Sequence, residues 1–417
     1  MNWPVVPLGD LAAIQGGIQK QPKRTAKHNP HPFLRVANVT ARGLDLEDIH
    51  LIELFDLELD RYRLQKGDLL VVEGNGSASQ IGRAAIWDGS IKDAVHQNHL
   101  IRVRPNERLD SRYLSLVWNS PSIRQELTMV SSSTSGLHTL SVSKVKRIHI
   151  PLPSIDEQHR LVELLEGYLS RLDAASRNLN AVDRRLVALT KSSLEKSFGQ
   201  GRRVPLGQLI KNISAGKSFG SSNSVAAEDQ WGIIKVSAMT WGEFMPDQNK
   251  AVPTDLVDPR FEIRQGDLLV SRANTADYVG ASVLVGQVRP RLLLSDKSLR
   301  VTPGDDIRIE WLWRALQAPS ARRQISALAT GTKDSMRNIS QASLRSVLLP
   351  SATLAEQDQA LTDFAVVDAA AKRMRASLID QHSRLSKLRR SLLTAAFSGQ
   401  LTDHNTALVA SADLLPA

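Results

Sequence analysis

The residues of this sequence that could do chemistry on a ligand are basic and amide side chains crowded into one short segment. Lys20, Gln21, Lys23, Arg24 and Lys27 fall within eight consecutive positions, between a glycine pair and a proline-rich stretch. Cations at this density can contact several phosphates of a nucleic-acid backbone. We therefore expect this loop to contact DNA; a loop that is merely solvated is the alternative.

Further candidates are side chains whose hydrogen-bonding groups match those on base edges or phosphates. They lie mostly in loops that follow predicted strands or precede the last strand of each half of the chain. In order they are Arg35, Asn38, Asn75, Ser77, Ser79, Gln80, Arg83, Thr134, His138, Lys217, Lys235, Arg272, Asn274, Thr275, Tyr278, Thr332, Lys333, Arg337 and Asn338. Aromatic residues make up 5% of the chain, too few for a platform that stacks single-stranded bases. We therefore expect duplex DNA.

No set of residues predicts an active site. Gly74-Asn75-Gly76 follows a strand-like run, as in dinucleotide- or S-adenosylmethionine-binding turns, but the third glycine and a convincing following helix are missing. Gly216-Lys217-Ser218 resembles the end of a phosphate-binding loop, yet Lys211 stands where that loop needs glycine. His96 and His99 show no repeated metal spacing, and the chain has no cysteine for thiolate chemistry. We expect this chain to bind no cofactor and no metal.

Composition limits the class of protein. The chain has 417 residues, 42% of them hydrophobic, enough for two or more buried cores. It has no apolar run of about 18 residues and no basic-then-apolar start, so a cytoplasmic protein is expected. The formal net charge is +10, whereas residues 156–198 and 355–397 carry 0 and +2. The segments outside those two ranges therefore present most of the positive charge to a polyanion.

Two long helices are predicted to position the loops. The apolar positions of the first are Leu165, Tyr168, Leu172, Ala175, Leu179, Val182, Leu186 and Leu189; those of the second, one of them polar, are Phe364, Val367, Ala371, Met374, Leu378, Gln381, Leu385 and Leu388. This three-four alternation predicts a coiled-coil seam. Each helix should have about 40 residues and a length of about 60 Å.

Both helices carry the same predicted ends. Ser154 with Glu157, and Thr353 with Glu356, form capping boxes in which hydroxyl and carboxylate exchange hydrogen bonds with backbone N–H groups. The predicted C-terminal ends are Phe198-Gly199 and Phe397-Ser398-Gly399, where glycine can adopt the left-handed cap conformation.

The rest of the chain is duplicated as well. Residues 6–11 match 204–209, and residues 66–71 match 265–270, with offsets between 197 and 200 throughout. We predict an α+β fold with mixed or antiparallel sheets in two tandem domains. The boundaries are 1–153 for domain 1, 154–199 for its helix, 200–352 for domain 2, 353–400 for its helix and 401–417 for a tail. Matched scaffolds with unmatched loops suggest two readers of different targets, although drift after duplication remains the alternative.

Within the domains, residues 33–39 and 145–153 are predicted as strands, as are the apolar runs between them. Residues 111–130 and 308–328 are predicted as short helices. These predictions place the candidate contacts in the connecting loops.

The combination of motifs resembles the specificity subunit of type I restriction-modification systems. The motifs are TSGLHTLS (134–141), IPLPSIDEQ (150–158), MRNIS (336–340), LLPSATLAEQ (348–357) and AFSGQL (396–401). The resemblance covers nearly the whole chain.

That resemblance implies two target recognition domains separated by helices that pair as an antiparallel coiled coil with a pseudo-two-fold axis. Each domain would read one half of a bipartite, asymmetric site, and the helices would set the spacer between the halves. The chain would have no catalysis of its own. It would dock two methyltransferase (modification) subunits, and through them restriction/translocase subunits; S-adenosylmethionine, ATP and Mg would bind to these partners, with no membrane involved.

Two other hypotheses fit the sequence. The chain could be the specificity component of another multi-subunit methylation or phage-defence system, with the same recognition chemistry and a different effector. It could also be a coiled-coil scaffold that binds proteins through its variable domains and never touches DNA.

Overall fold

The computed structural model describes residues 3–40, 43–75, 80–130, 138–240, 242–333 and 336–401. The chain divides into two compact units, one made of Met1–Leu179 with Asp380–Ala417 and the other of Asn180–Ile379. Each unit holds one mixed α+β region and a section of both long helices. Among the described helices, none is long and apolar enough to cross a membrane.

The first unit contains the N-terminal mixed region. Its strands are β1 (Val5–Pro7), β2 (Ala12–Gly16), β3 (Pro30–Leu34), β4 (Val39–Thr40), β5 (Gly43–Leu44), β6 (His50–Glu53), β7 (Leu69–Val72), β8 (Gly74–Asn75), β9 (Ala84–Ile86), β10 (Val95–His96), β11 (Leu100–Pro105), β12 (His138–Thr139) and β13 (His149–Pro151). Its helices are α1 (Glu58–Tyr62), α2 (Ser111–Trp118), α3 (Pro121–Val130) and α4 (Val142–Lys146), and the long helix α5 (Ile155–Phe198) follows.

Two sheets form the body of this region. The larger is antiparallel with the order β2-β11-β7-β9, and the smaller has the order β10-β3-β6 with β10 parallel to β3. Successive side chains of β7 point to opposite faces. Leu69 and Val71 pack in the cluster that includes residues of α2 and α3, while Leu70 and Val72 enter a second cluster. The uninterrupted apolar run of β7 is thus explained by burial on both faces.

The second unit repeats this plan. Its strands are β14 (Arg203–Pro205), β15 (Ile210–Ala215), β16 (Gly232–Ile234), β17 (Asn249–Ala251), β18 (Leu268–Ser271), β19 (Ala273–Asn274), β20 (Ser282–Leu284), β21 (Leu292–Leu293), β22 (Ser298–Pro303), β23 (Thr330–Lys333), β24 (Met336–Asn338) and β25 (Leu348–Pro350). Its helices are α6 (Leu206–Leu209), α7 (Ile309–Gln317), α8 (Pro319–Leu328) and α9 (Gln341–Arg345), before the long helix α10 (Leu354–Phe397). The main sheet is β15-β22-β18-β20, and the smaller one is β17-β16-β21. The mixed α+β prediction is confirmed in both regions.

Two predicted strands are shorter than expected. The strand predicted over residues 33–39 ends at Leu34, because a turn of 3-10 helix occupies Val36–Asn38. The side-chain oxygen of Asn38 accepts the Arg35 N–H at 2.8 Å and so terminates the strand. The segment 145–153 begins in α4, which Ser141 caps, and only His149–Pro151 forms a strand.

The two long helices are confirmed, each with 44 residues, and their ends differ in detail. The second has the full capping box: Thr353 N–H donates to Glu356 at 2.7 Å, and Glu356 N–H donates to the Thr353 hydroxyl at 3.3 Å. In the first, Glu157 N–H donates to Ser154 at 3.4 Å, but the Glu157 carboxylate pairs with Arg160 at 2.7 Å. The box predicted there is therefore only half formed.

The predicted left-handed glycine caps are half right. Gly399 has a φ of +76°, as expected after α10. Gly199 stays outside the left-handed region, since its N–H continues the helix to the Glu195 carbonyl at 2.9 Å. Gly201 takes the left-handed conformation in its place, with a φ of +105°.

The three-four alternation does not describe one buried seam. Its buried members are Leu165, Leu172, Leu186, Phe364, Ala371 and Leu378. In the other row, Val182, Leu189, Met374 and Leu388 are 37%, 59%, 49% and 39% exposed. The start of α5 buries a wider stripe because it packs on the mixed region as well as on α10. Where a helix has less protein around it, only one row is covered.

Within the first unit, the sections of α5 and α10 pack in opposite directions. Arg160 donates to the Leu401 carbonyl at 2.7 Å, and Arg389 pairs with Asp173 at 2.6 Å. The ring of Phe397 meets Tyr113 of α2 edge-on, with centroids 5.6 Å apart. Both helix sections therefore belong to the core of this unit.

A buried glutamine ties α5 to the mixed region of the first unit. Gln158 is fully buried, and its amide nitrogen donates to the carbonyls of Arg108 and Pro153, both at 3.0 Å. Its amide oxygen accepts the Asp110 N–H at 2.8 Å. Asp110 in turn caps α2 by accepting the N–H of Tyr113. One side chain thus joins the start of the long helix to the start of α2.

Gln357 makes the same three contacts in the second unit. It is fully buried, donates to the carbonyls of Asp306 and Ala352 at 2.9 Å each, and accepts the Arg308 N–H at 2.7 Å. The Glu-Gln pair that begins each helix therefore has two separate tasks: the glutamate lies at the cap and the glutamine holds the domain.

Replacing Gln158 or Gln357 with leucine should destabilise the unit that carries the change by about 1–3 kcal/mol, because one N–H and two carbonyls lose a buried partner. Chemical denaturation followed by circular dichroism measures the effect. Gln359→Leu is the matched control, since that glutamine is exposed on the same helix, and it should change stability by at most about 0.5 kcal/mol. Equal effects of buried and exposed substitutions would contradict this role.

Candidate nucleic-acid interface

The structure brings the two predicted recognition loops of the first unit together. β8 pairs with β12 in antiparallel register, which sets the backbones of Asn75 and His138 opposite each other. The loop after β7 is closed at its base by Val72 N–H to the Arg83 carbonyl at 2.8 Å and Gly82 N–H to the Val72 carbonyl at 3.1 Å. Backbone segments that lie far apart in the chain thus pair at this point.

The second unit joins its loops in the same way. β19 pairs with β24, so that Asn274 lies opposite Arg337 and Ala273 opposite Asn338, and β24 also pairs with β23. The base of the loop is closed by Ser271 N–H to the Ala281 carbonyl at 2.8 Å. The same backbone pairing therefore occurs in both units, although the sequence did not predict it.

Arg83 and Gln80, which the sequence predicts as DNA contacts, make hydrogen bonds within the protein. The Arg83 guanidinium donates to the Gln80 side chain at 2.7 Å and to the Val36 carbonyl at 3.2 Å. Both residues are only partly exposed. Their contacts attach the loop after β7 to the 3-10 turn that follows β3.

Asn38 and Arg35 also serve the structure of this turn. Asn38 is 3% exposed, and its amide donates to the carbonyls of Asp45 and Asp48. The Arg35 guanidinium pairs with Asp48 at 2.7 Å. Burial leaves Asn38 no exposed group that could bind a base edge.

In the second unit the candidate side chains are more exposed. Arg272 and Thr275 are exposed, Tyr278 is 37% exposed, and Asn338 is exposed in β24. Lys235 is partly exposed at the position that matches Arg35.

Two candidates of the second unit shape its loop. The Asn274 side-chain oxygen accepts the Thr275 N–H at 2.8 Å, and its amide nitrogen is buried without a hydrogen-bond partner among the described residues. Arg337 donates to the Gly331 carbonyl at 3.1 Å and so adds a side-chain link between β24 and β23.

The basic loop before β3 is held by two glutamates. Arg24 forms a two-pronged ion pair with Glu58, both distances being 2.8 Å, and its guanidinium lies 4.9 Å from the Phe55 ring centroid. The Glu53 carboxylate accepts the backbone N–H groups of Lys27 at 2.7 Å, His28 at 3.1 Å and Asn29 at 2.7 Å. These N–H groups hold the pKa of Glu53 below its usual value. The loop thus has a fixed backbone.

Three lysines of this loop remain free to meet a ligand. Lys20, Lys23 and Lys27 are exposed, and Gln21 is partly exposed with a 3.4 Å hydrogen bond to Gln19. Arg24, by contrast, is committed to Glu58, and the same ion pair lowers the pKa of Glu58.

The structure does not bring the basic loop and the recognition loops together. The basic loop precedes β3, whereas Arg35 and the turn bonded to Arg83 follow it. A strand of five residues is about 16 Å long, so the two groups lie at opposite ends of β3. In the second unit, Lys217 likewise precedes β16, exposed and 5.7 Å from the Phe219 ring centroid, while Lys235 follows that strand.

Some predicted contacts lie outside the described residues. Ser77, Ser79 and Thr134 belong to them, and only the backbone is described for Asn75, His138, Thr332 and Lys333. In the described part of the chain, no group of three or more His, Asp or Glu side chains could hold a metal ion.

Sequence reasoning missed three residues whose hydrogen bonds stabilise the scaffold around the candidate loops. Glu53, Gln158 and Gln357 were not singled out as structural anchors, although the glutamines recur with the offset of the duplication. That recurrence was the available signal. Glu53 gave no such signal, because the residue 199 positions later is Val252.

Glu53→Gln should loosen the basic loop, because an amide oxygen replaces a carboxylate that accepts three N–H groups. Hydrogen exchange of Lys27, His28 and Asn29 at neutral pH should accelerate. The folded pKa is lowered, so the wild-type contribution is complete above the ordinary value of 4.5 and is lost as the pH falls through the folded pKa. Glu47→Gln, at an exposed site, is the control. Unchanged exchange in Glu53→Gln would contradict the assignment.

The comparisons with known proteins agree with this geometry. Residues 1–183 match the family model described as "Type I restriction modification DNA specificity domain". Over 193 residues the chain is 31% identical to the type I restriction enzyme EcoKI specificity subunit of Escherichia coli (strain K12). The aligned segment covers 45% of this chain and 40% of that protein. Over 144 residues it is 35% identical to the EcoEI specificity subunit of Escherichia coli, covering 34% and 24%.

A solved structure shares the fold over nearly the whole chain. It comes from a study of complex assembly and conformational transition of the type I R-M system, and it matches with a TM-score of 0.72 at 17% identity, covering 96% of this chain and 98% of that one. The sequence matches span less than half the length of the two curated relatives. Residues 1–183 are therefore similar to the DNA specificity domain of type I restriction-modification systems, and the chain shares its fold with a protein of such a system.

Proposed function

We propose that this chain is the sequence-specific DNA-recognition subunit of a type I restriction-modification complex, without catalysis of its own. Each mixed region would act as a target recognition domain and read one half of a bipartite, asymmetric duplex site. The observation that carries the proposal is the recurrence of one loop arrangement with different side chains: β8 with β12 in one unit, and β19 with β24 in the other.

Loop sequences that differ on matched scaffolds support the asymmetry of the site. Arg272 and Thr275 are exposed in the second unit, whereas Glu73 and Gly76 stand 199 positions earlier in the first unit. Arginine donates to guanine, whereas a glutamate side chain accepts, as from the amino group of cytosine. Different donors and acceptors at the two readers favour different half-sites.

The exposed lysines would supply affinity that is independent of sequence. Lys20, Lys23 and Lys27 in the first unit and Lys217 in the second are exposed near the start of a central strand of the smaller sheet. Phosphate contacts of this kind set the position of a protein on the duplex, while loop contacts to base edges select the sequence.

We further propose that α5 and α10 form an antiparallel coiled coil with a pseudo-two-fold axis, which sets the spacer between half-sites. The opposite directions of the helix sections in the first unit and the 199-residue offset between the two helices support this. Duplex DNA has two-fold axes of its own, and major grooves on one face recur about every 34 Å. Two readers related in this way could enter such grooves together.

The exposed apolar row of the long helices is the proposed docking surface for two methyltransferase subunits. Leu189 and Met374 are 59% and 49% exposed, and solvent contact of large apolar side chains at heptad positions suits a partner helix. Restriction/translocase subunits would join through the methyltransferases. S-adenosylmethionine, ATP and Mg would bind to these partners, and the complex would work in the cytoplasm, where its DNA is.

The affinity of the complex for its site should fall steeply with salt, because binding releases counterions from DNA. The Lys23→Ala, Lys27→Ala double variant should reduce the slope of log K against log salt by about one for each lysine that contacts phosphate. Fluorescence anisotropy with labelled duplex, from about 50 to 200 mM salt, measures both slopes.

Lys66→Ala is the matched control and should leave the slope unchanged, since this exposed lysine lies at the end of β7 opposite to the recognition loop. Affinity independent of salt would instead support the protein scaffold that never touches DNA. Specific binding by a complex with a different effector would favour another methylation or phage-defence system.

A further inference from the structure

In the first unit, two helices grip the end of the recognition loop that follows β7. Arg124 of α3 donates to the Ile81 carbonyl at 2.8 Å, and the Trp118 indole of α2 donates to the Gly82 carbonyl at 2.7 Å. Trp118 is fully buried. Ile81 and Gly82 are therefore held through their carbonyls by side chains of α2 and α3.

The arginine contact recurs at matched positions in the second unit. Arg322 of α8 donates to the Val279 carbonyl at 2.7 Å and to the Asp277 carbonyl at 3.3 Å. Arg124 and Arg322 each stand three residues after the proline that begins their helix. Arg322 follows Arg124 by 198 residues, and Val279 follows Ile81 by the same number. The tryptophan contact differs: Leu316 stands at the position that matches Trp118, and the indole of Trp313 in α7 donates to the Ser282 carbonyl at 3.1 Å.

A glycine permits this close approach in both loops. Gly82 and Gly280 have φ values of +64° and +70°, a conformation that glycine adopts at no steric cost. A Cβ at Gly82 would lie 3.0 Å from the Leu127 side chain, and one at Gly280 would lie 2.3 Å from the Ile325 side chain. The loop end is thus packed against the helix that supplies the arginine.

Both guanidinium groups are partly buried, and burial lowers the pKa of each. A charged donor makes a stronger hydrogen bond to a carbonyl than a neutral donor does. Placing such a donor under the loop therefore gives a firm attachment through main-chain atoms. Because carbonyls accept the bonds, the attachment does not depend on which side chains the loop carries.

We propose that Arg124 and Arg322 are positioning residues for DNA specificity. Each holds one recognition loop in the position and orientation in which the side chains of the loop reach the bases. This inference rests on the proposed function. It explains how loops as different as residues 73–83 and 271–281 can sit on the same support. Each arginine acts only on the half-site that its own unit reads.

The test uses the complete complex of this chain with its methyltransferase subunits. A random-sequence duplex library is methylated and sequenced, so that the preference at every position of both half-sites is read in one experiment. With Arg124→Met, discrimination against single mismatches should fall about tenfold in one half-site, within the range that one mismatch normally costs. Arg322→Met should do the same in the other half-site only.

Two kinds of control separate positioning from folding. Arg112→Met on α2 and Arg323→Met beside Arg322 alter exposed arginines and should leave both half-sites unchanged. Arg124→Lys and Arg322→Lys keep a charged donor and should restore part of the discrimination. If the methionine variants do not fold, the lysine variants decide: a change confined to the expected half-site supports the inference, and an unchanged motif overturns it.

The outcomes also separate this inference from the proposed function. If the wild-type complex methylates without any bipartite preference, the proposed function fails and the inference fails with it. If the wild type is specific but folded Arg124→Met and Arg322→Met variants keep both half-sites intact, the inference alone is overturned. A loss of stability with an unchanged motif would show that these arginines are merely structural.

Discussion

The buried amide of Gln158, repeated at Gln357, is the interaction on which the rest of the structure depends. Under the proposed function, a recognition domain can serve a fixed spacer only if it cannot pivot on its helix. Each glutamine prevents such a pivot by bonding the first turn of the long helix to the loop before the preceding helix pair, α2–α3 or α7–α8. A third bond goes to the strand end just before the long helix, and all six distances lie between 2.7 and 3.0 Å. Both amides are fully buried, so water does not compete for these bonds.

One buried or partly buried aspartate has a similar structural role inside each mixed region. The aspartate of the Gly-Asp-Leu-Leu turn accepts the backbone N–H of Gln65 in one unit and of Arg264 in the other, and it pairs with Arg104 or Arg300. These contacts use main-chain groups or residues of the scaffold. Loop side chains can therefore change without loss of support, which is the physical condition for a reader whose target can differ between units.

Much of the architecture could be predicted from the sequence, because it depends on local rules. The long helices and the strand β7 follow from the pattern of apolar residues. The hydroxyl cap of α10 follows from Thr353 and Glu356. What periodicity could not predict is which row of the helix seam meets protein, because Leu189 and Leu186 look alike until the neighbours are known.

The candidate contacts were harder to predict, because residue type does not show what a side chain bonds. Asn38 and Arg24 have the chemistry of DNA contacts, yet one ends a strand and the other pairs with Glu58. Arg124 looks like a surface cation in the sequence, and its acceptor is a main-chain carbonyl 43 residues away. Such acceptors carry no sequence signal, since every residue has a carbonyl.

The most direct test of the account is the spacer in the methylated motif after four residues are deleted from the middle of both α5 and α10. Four helical residues span about 6 Å, which corresponds to one or two base-pair steps of about 3.4 Å. Mapping of methylated positions in cells that carry the complex should show both half-sites unchanged and the spacer shorter by one or two base pairs. An unchanged spacer with intact methylation would contradict the claim that the helices hold two readers at a fixed separation.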